Sequence, residues 1–278
     1  MGTPLPLSPP KIQSDRSEAL ERPSPSLSVA GRRWPSAAKA GARCGGVLKL
    51  TAMSQAPDQA RWTAVDTYIT DLLVPPDPAL AAALDDSVAA GLPGIQVTPN
   101  LGKMLHLLAR IQGARRILEI GTLGGYSAIW LARALPADGR LITLEFAPKH
   151  AEVARANVAR AGLQDKVDIR VGRALDTLPR LAAEGGEPFD FFFIDADKES
   201  NPDYFQWALK LSRPGSVIVI DNVVREGAVI DADNTHPMLE GVRRLNRLMA
   251  GEPRVSVTEL QTVGSKGYDG FALALVTA

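Results

Sequence analysis

Two carboxylates and an amide follow two apolar runs of the sequence, and together they could bind a cation. Asp195 ends the run DFFFID, and Asp221 with Asn222 ends SVIVIDN. Because hard oxygen ligands in this number suit Mg²⁺ or a similar divalent ion, the three side chains predict a metal site. The alternative interpretation is that each residue caps a helix or closes a turn, as Asp and Asn often do.

Lys198 lies three residues after Asp195 and could reach a substrate held at such a site. A neighbouring divalent cation and partial burial both disfavour the ammonium form, so the amine could accept a proton. We therefore predict that Lys198 is the general base, the alternative being an ordinary surface lysine.

A glycine turn joins an apolar run to an amphipathic stretch within residues 116–132, and it predicts a nucleotide-cofactor site. Gly121, Gly124 and Gly125 let the backbone close on a ligand, and the N–H groups of the following helix attract an anionic group. The spacing G-T-L-G-G differs from the G-x-G-x-x-G of dinucleotide sites. Glu119, two residues earlier, suits a cofactor that carries an ammonium and a sulfonium. A plain strand-to-helix turn is the alternative.

Two further residues at the ends of apolar runs are predicted to contact the same cofactor. Glu145 ends RLITLE, where an acid can accept hydrogen bonds from both ribose hydroxyls. The alternative for Glu145 is a surface acid near the helix that begins around Pro148. Ala174 follows VDIRVGR and could meet an adenine ring with its backbone.

These residues need a sheet whose strands end at one edge, and the hydrophobic pattern predicts such a sheet. Short apolar runs alternate with amphipathic stretches, which is typical of a parallel sheet covered by helices. Ligands of such sheets bind beyond the carboxyl ends of the strands. The predicted parallel strands cover residues 116–120, 140–144, 167–171, 189–194 and 216–220.

The C-terminal part of the chain departs from this alternation. Residues 255–263 and 271–276 are strand-like, but the segment GSKGYDG between them is too short for a parallel crossover, so they should pair antiparallel. The prediction is an α/β, Rossmann-like, doubly wound sheet of seven strands with the last antiparallel, which is the class I methyltransferase arrangement. Apolar residues spaced by three and four predict helices before the sheet, near residues 62–72, 80–88 and 101–108.

Composition argues against several classes of protein. The formal net charge of zero gives no reason to expect nucleic acid as a partner. The single cysteine and three histidines argue against a Cys/His zinc site, and the missing G-x-S-x-G argues against one class of hydrolase. Since no apolar run approaches about 18 residues, we predict a soluble, cytoplasmic protein without a membrane partner.

Residues 1–53 differ from the rest, being rich in Pro, Ser, Arg, Gly and Ala without a hydrophobic period. They predict a disordered N-terminal extension, followed by one domain over residues 54–278. Between Arg22 and Pro57 there are six basic residues and no acidic one, which faintly resembles a transit peptide. The periodic segment that follows Met53 instead favours a tail or an over-extended start.

From residue 96 onward the chain resembles the cation-dependent, S-adenosylmethionine-dependent O-methyltransferases, which include catechol and caffeoyl-CoA O-methyltransferases. The motifs LEIGTLGGYS, RLITLE, VGRALD, IDADK and VIDN match in order and spacing. The catechol subgroup carries a bulky aromatic where this chain has Asp197, so DADK is closer to the bacterial and coenzyme-A-ester members.

The resemblance implies a role for each matching position. The implied contacts to S-adenosylmethionine are Val97, Glu119, Gly121, Thr122, Ser127, Glu145, Ala174, Asp195 and Asp197. It implies that Asp195, Asp221 and Asn222 bind Mg²⁺ or another divalent cation and that Lys198 is the base. It also implies that residues 223–237 lie over the substrate and that the protein forms a homodimer.

The predicted function is therefore a metal-dependent transfer of a methyl group from S-adenosylmethionine to a hydroxyl of a small catechol-like or phenolic acceptor. A cation-independent methyltransferase is the first alternative. An NAD-dependent oxidoreductase is disfavoured by the G-T-L-G-G spacing and the terminal hairpin. A protein that binds the cofactor without turnover is the third alternative.

Overall fold

The structure, a computed structural model, describes residues 58–278, and the predicted N-terminal extension lies outside them. Seven strands form one sheet in the order β3-β2-β1-β4-β5-β7-β6. The first five strands are parallel, and β7 runs antiparallel to both β5 and β6. The predicted seven-stranded sheet with its last strand antiparallel is confirmed. The strands are β1 (Arg116–Ile120), β2 (Arg140–Glu145), β3 (Val167–Val171), β4 (Phe189–Ile194), β5 (Ser212–Asp221), β6 (Val255–Gly264) and β7 (Gly267–Val276).

Helices precede the sheet and connect its strands, and the three predicted early helices are all present. Asp77 and Thr98 cap the second and third, where their side chains accept the N–H groups of Leu80 and Leu101 at 2.9 and 3.3 Å. No helix within residues 58–278 is long and apolar enough to cross a membrane, and the cytoplasmic location stays a prediction. The helices are α1 (Asp58–Leu73), α2 (Pro78–Ala89), α3 (Pro99–Gln112), α4 (Tyr126–Ala134), α5 (Pro148–Arg160), α6 (Ala174–Glu184), α7 (Asn201–Leu211) and α8 (Pro237–Gly251).

The core has two halves, one on each face of the sheet. Strand β4 is buried along its whole length. Because successive side chains point to opposite faces, Phe192 packs in one half with residues of α6, α7 and α8, and Phe191 and Phe193 pack in the other with residues of α3 and α4. Burial on both faces explains why the sequence of this strand is a continuous apolar run. The end of this run marks the edge of the sheet at which the polar residues follow.

The C-terminal hairpin forms as predicted, but its second strand begins earlier than expected. Gly264 pairs with Gly267, so only Ser265 and Lys266 form the turn and most of GSKGYDG belongs to a strand. Gly267 has a φ of 98°, which permits the tight reversal. Tyr268 therefore extends the ladder opposite Val263 instead of lying in a loop.

Candidate active site

A cavity of about 760 Å³ opens beyond the carboxyl ends of the central parallel strands. Most of the predicted site residues line it, but Glu119 and Asp221 do not: both are buried and lie behind the wall. The predicted residues on the wall are Val97, Gly121, Thr122, Ser127, Glu145, Ala174, Asp195, Asp197, Lys198 and Asn222. Most of the predicted cofactor residues and the predicted base therefore line the same cavity.

The glycine turn after β1 packs directly on the end of β4. Gly121 has a φ of 104°, and a Cβ atom there would lie 2.0 Å from the carbonyl oxygen of Asp195. Gly125 is also left-handed, at φ 83°, and precedes α4. Only glycine permits this approach, so the sequence of the turn determines how closely two parts of the cavity meet.

Glu145 ties the glycine turn to the end of β2. Its Oε2 accepts the backbone N–H groups of Thr122 and Leu123 at 3.2 and 2.8 Å. Its Oε1 accepts the N–H of Ala147 at 2.9 Å and lies 3.2 Å from Nδ1 of His150. This buried carboxylate is thus held in a fixed orientation at the cavity wall by both flanking turns.

Glu119 is fully buried and belongs to a chain of hydroxyl groups. Thr143 donates to Oε2 of Glu119 at 2.6 Å, and the Thr122 hydroxyl lies 2.6 Å from that of Thr143. Burial raises the pKa of Glu119 to about 7, a rise that the hydroxyls of Ser127 and Thr143 oppose and the charges of Asp195 and Glu145 increase. Its Oε1 has no partner in hydrogen-bonding geometry within residues 58–278. A buried acid with a free oxygen is suited to a cationic ligand group.

Asp195 and Asp221 lie side by side at the ends of neighbouring strands. Ile194 pairs with Ile220 in the parallel register, so the two acids that follow them are adjacent. Burial raises the pKa of Asp221 to about 7, with a further rise from the Asp195 charge and an opposing effect of Lys198. The Lys198 ammonium donates to Oδ1 of Asp195 at 2.8 Å. The arrangement brings together two carboxylates and one cation, of which Asp221 and Lys198 are buried and Asp195 is partly exposed.

Asn222 follows Asp221 in a left-handed conformation. Its φ is 60°, a conformation that Asn adopts more readily than most residues, and its backbone N–H donates to Oδ1 of Asp221 at 2.8 Å. Asn222 lines the cavity beside the two acids. The three predicted metal ligands are thus brought together.

The short 3₁₀ turn Lys198–Ser200 holds the predicted base, and Asp197 caps it. Asp197 accepts the N–H of Ser200 at 3.2 Å and the hydroxyl of Tyr204 at 2.5 Å. Although burial acts to raise it, these hydrogen bonds hold the pKa of Asp197 below its usual value. Helix α8 packs on the same turn, since a Cβ at Gly241 would lie 2.1 Å from the carbonyl oxygen of Lys198.

Several cavity residues have no counterpart among the predictions. Phe146 is 72% exposed although it follows directly after Glu145, and its signal in the sequence is an aromatic residue immediately beyond a strand end. His150, Arg173 and Tyr204 also line the cavity. These three lie on or beside helices, where the sequence marks no functional spacing.

Comparison with known proteins identifies the family. The O-methyltransferase family model matches residues 77–275. Catechol O-methyltransferase from Niastella koreensis is 57% identical over 212 residues, which are 76% of this chain and 96% of that protein. The crystal structure of an O-methyltransferase from Bacillus cereus in complex with S-adenosylhomocysteine has a TM-score of 0.78 and 59% identity, covering 79% of this chain and 100% of that one.

A second solved structure contains the methyl donor itself. The O-methyltransferase TomG from Streptomyces achromogenes, in complex with S-adenosylmethionine, has a TM-score of 0.77 and 55% identity and covers 80% of this chain and 99% of its own. The family resemblance inferred from the motifs is confirmed, and the oxidoreductase alternative is removed. This chain therefore belongs to the O-methyltransferase family that includes the catechol and caffeoyl-CoA enzymes, and it is an S-adenosylmethionine-dependent O-methyltransferase.

Proposed function

We propose that this enzyme methylates one hydroxyl of a small catechol-like acceptor and that it requires a divalent cation such as Mg²⁺. The observation that carries the proposal is the adjacency of Asp195 and Asp221 at neighbouring strand ends, with Lys198 bonded to Asp195 at 2.8 Å. The relative from Niastella koreensis is named a catechol O-methyltransferase, which supports the acceptor class.

The donor set fits a divalent cation. Asp221 is buried beside Asp195, and burial together with the Asp195 charge raises its pKa, effects that a bound cation would offset. No group of three or more His, Cys, Asp or Glu side chains within residues 58–278 is arranged to hold a metal ion, so the proposed site needs the Asn222 amide, water and substrate to complete its ligands. Such a mixed oxygen set is typical of Mg²⁺.

We assign the methyl donor to the part of the cavity beside the glycine turn. Gly121, Thr122 and Ser127 would surround its methionine portion, with the free oxygen of Glu119 behind them for the ammonium group. Glu145 would accept the ribose hydroxyls.

The adenine end of the donor is assigned to the opposite side of Glu145. Ala174 would contact the ring edge, and Phe146 adds an exposed aromatic face on the same wall. Val97, Asp195 and Asp197 complete the proposed donor contacts.

Lys198 is proposed to take the proton of the reacting hydroxyl as a neutral amine, the form that a divalent cation held by Asp195 and Asp221 would favour over the ammonium. Its side chain is almost fully buried, and its partner Asp195 keeps it at the end of β4, facing the cavity. A bound divalent cation supplies positive charge that makes an acceptor hydroxyl more acidic. For a phenol with a pKa near 10, forming the anion at pH 7 costs roughly 4 kcal/mol at about 1.36 kcal/mol per unit, so this assistance is substantial.

The proposal is tested by methylation of catechol and of phenol with the full-length enzyme, before and after EDTA and after Mg²⁺ is restored. We expect catechol to be methylated in preference to phenol, activity to disappear with EDTA, and Mg²⁺ to restore it. Calorimetric titration should show S-adenosylmethionine affinity within about twofold in all three states.

Two results would overturn the proposal in different ways. Undiminished methylation after EDTA would favour the cation-independent alternative. Donor binding without methylation of catechol in the presence of Mg²⁺ would show that the acceptor class is wrong.

We also propose a homodimer that uses the exposed apolar face of α1 and α3. This face contains Tyr68, Leu72, Leu107 and Ile111, the last of which is 81% exposed. Helices α1 and α3 contact each other, and several exposed apolar side chains on neighbouring helices favour an association site. Light scattering should show a dimer that Ile111→Glu converts to a monomer, whereas Ile230→Glu, at an exposed position in the loop after β5, should leave it unchanged. A monomeric wild type would contradict the proposal.

A further inference from the structure

The loop after β5 contains a stretch of backbone that is costly to form. Arg225, Glu226 and Gly227 are left-handed in succession, with φ values of 55°, 57° and 84°. Residues with a Cβ atom avoid this conformation, so it persists only where surrounding contacts enforce it. We call residues 224–236 the strap; Arg225 within it and Met238 just beyond it both line the cavity.

The start of the strap is held by an acid from β7. Oδ1 of Asp269 accepts the N–H groups of Val224 and Arg225 at 3.0 and 2.8 Å, and Oδ2 lies 3.4 Å from Nη1 of Arg225. These contacts fix the left-handed turn at the point where the chain leaves Asn222.

The rest of the strap is held by one guanidinium group from α8. Arg243 donates through Nε to the carbonyl oxygen of Val229 at 2.9 Å, through Nη1 to that of Asn234 at 2.7 Å, and through Nη2 to those of Ala228, at 3.0 Å, and Asp231. Nη1 also donates to Oε1 of Glu240 at 2.6 Å. All five N–H groups of the side chain thus have acceptors, and four of these are backbone carbonyls of the strap.

Helix α8 also contacts the backbone of the turn that bears Lys198. Gly241 allows α8 to approach the carbonyl oxygen of Lys198, and Arg244 donates to the carbonyl oxygen of Glu199 at 2.9 Å. One rigid element therefore carries both the strap and the turn that bears Lys198, so their separation is set by α8.

We propose that Arg243 is a positioning residue that fixes the strap as the acceptor-facing wall of the cavity and thereby determines which acceptor hydroxyl meets Lys198. This inference rests on the proposed function, because it places the acceptor between Lys198 and the strap. Arg243 is 12% exposed at its side chain and does not line the cavity, and neither do the four strap residues whose carbonyls it holds. It therefore acts by fixing the course of the strap, whose residue Arg225 lines the cavity.

The test compares Arg243→Met and Arg243→Lys with the control Arg247→Met, an exposed position one turn further along α8. A catechol with one ring carboxylate is methylated by each enzyme, and the ratio of its two monomethyl products is measured together with the acceptor KM and the S-adenosylmethionine Kd. The product ratio does not depend on the amount of folded enzyme.

We expect Arg243→Met to raise the acceptor KM at least tenfold and to change the product ratio at least twofold, with the donor Kd within twofold. Arg243→Lys, with three donors in place of five, should have a smaller effect on both, and Arg247→Met should match wild type. If Arg243→Met fails to fold, the product ratio of Arg243→Lys tests the inference: a ratio different from wild type supports it, and an unchanged ratio contradicts it.

An unchanged product ratio and acceptor KM in the Arg243 variants would overturn the inference, even if thermal stability falls. A wild type that methylates neither hydroxyl would instead show failure of the proposed function, so the two failures are distinguishable.

Discussion

The two ends of the cavity obtain their shape in different ways. At the proposed donor end, the turn between β1 and α4 contains the left-handed glycines Gly121 and Gly125 and one left-handed residue with a side chain, Leu123, at φ 48°. Glu145 from the adjacent strand accepts the N–H of Leu123 and so closes the turn.

At the proposed acceptor end, two left-handed residues with side chains, Arg225 and Glu226, precede the left-handed Gly227, and Asp269 from a distant strand holds the start of this run. The conformation of the donor end is therefore determined mainly by the glycines of the turn itself. That of the acceptor end depends more on contacts between elements far apart in the chain.

This difference suggests how the enzyme combines a constant donor with a selected acceptor. A loop held by side chains of α8 and β7 can change shape through substitutions that leave the central strands intact. The glycine turn has no such freedom, because a Cβ atom at Gly121 would collide with the backbone of Asp195. Variants at each end of the cavity test this difference.

Gly121→Ala should have the largest effect. The added Cβ would lie 2.0 Å from the Asp195 carbonyl oxygen, and the φ of 104° is unfavourable for alanine. We expect a loss of about 3 kcal/mol or more in the free energy of unfolding and no measurable binding of S-adenosylmethionine by calorimetry. Gly251→Ala is the control, since a Cβ there meets no atom within 4 Å. Donor binding by Gly121→Ala at wild-type affinity would show that the turn is not rigid.

Lys198→Met should separate chemistry from donor binding. Methionine keeps most of the buried side-chain volume but cannot accept a proton, so kcat should fall about 10²- to 10⁴-fold. The donor Kd should stay within about twofold. The exposed Lys149→Met is the matched control. A kcat near that of wild type would exclude Lys198 as the base.

Glu119→Gln should change the pH dependence of stability. The pKa of Glu119 is about 7 in the folded protein, above its value of 4.5 in an unfolded chain, so the folded state holds the extra proton between these values. Its stabilising contribution is complete below about pH 4.5 and is lost as the pH rises through 7, with a slope of up to about 1.4 kcal/mol per unit. Urea unfolding between pH 5 and 8 should show this component in wild type and not in the variant. Parallel curves would contradict the assignment.

Phe146→Ala should have the smallest effect, limited to the donor end. Loss of an aromatic face beside an adenine ring is worth about 0.5–1.5 kcal/mol, or roughly a 2- to 10-fold rise in the donor Kd. Ile230→Ala, at an 88% exposed position in the strap, should leave that Kd unchanged. Equal effects of the two variants would remove the proposed distinction between the ends.

Much of the fold could be predicted because its signals are local. Strands β1, β3 and β4 begin and end as predicted. For β1 and β4 the reason is that apolar runs such as FDFFFI mark buried strands, whereas the edge strand β3 has no buried residue. Strand β5 begins at Ser212, four residues before the predicted start, because Arg213 and Pro214 precede its apolar run. Alternation of hydrophobicity cannot detect such a polar extension.

The site was predictable where residues follow strand ends and not where they act across the fold. Asp195 and Asp221 are recognisable because each ends an apolar run. Thr143 lies inside a strand, and only its hydrogen bond to Glu119 distinguishes it from other strand residues. In the sequence, Arg243 is one charged residue among several on an amphipathic helix, and its contacts become visible only in the fold. Roles that depend on tertiary contacts produce no characteristic spacing of residues in the sequence, so a sequence pattern cannot predict them.

The central claim is that Asp195, Asp221 and Asn222 form a divalent-cation site beside the methyl donor. The most direct test is Mn²⁺ binding, followed by electron paramagnetic resonance, in wild type and Asp221→Ala saturated with S-adenosylmethionine. We expect one Mn²⁺ bound by wild type and at least a tenfold loss of affinity in the variant, with the donor still bound. Equal Mn²⁺ affinity in the two proteins, or none in wild type, would contradict the claim.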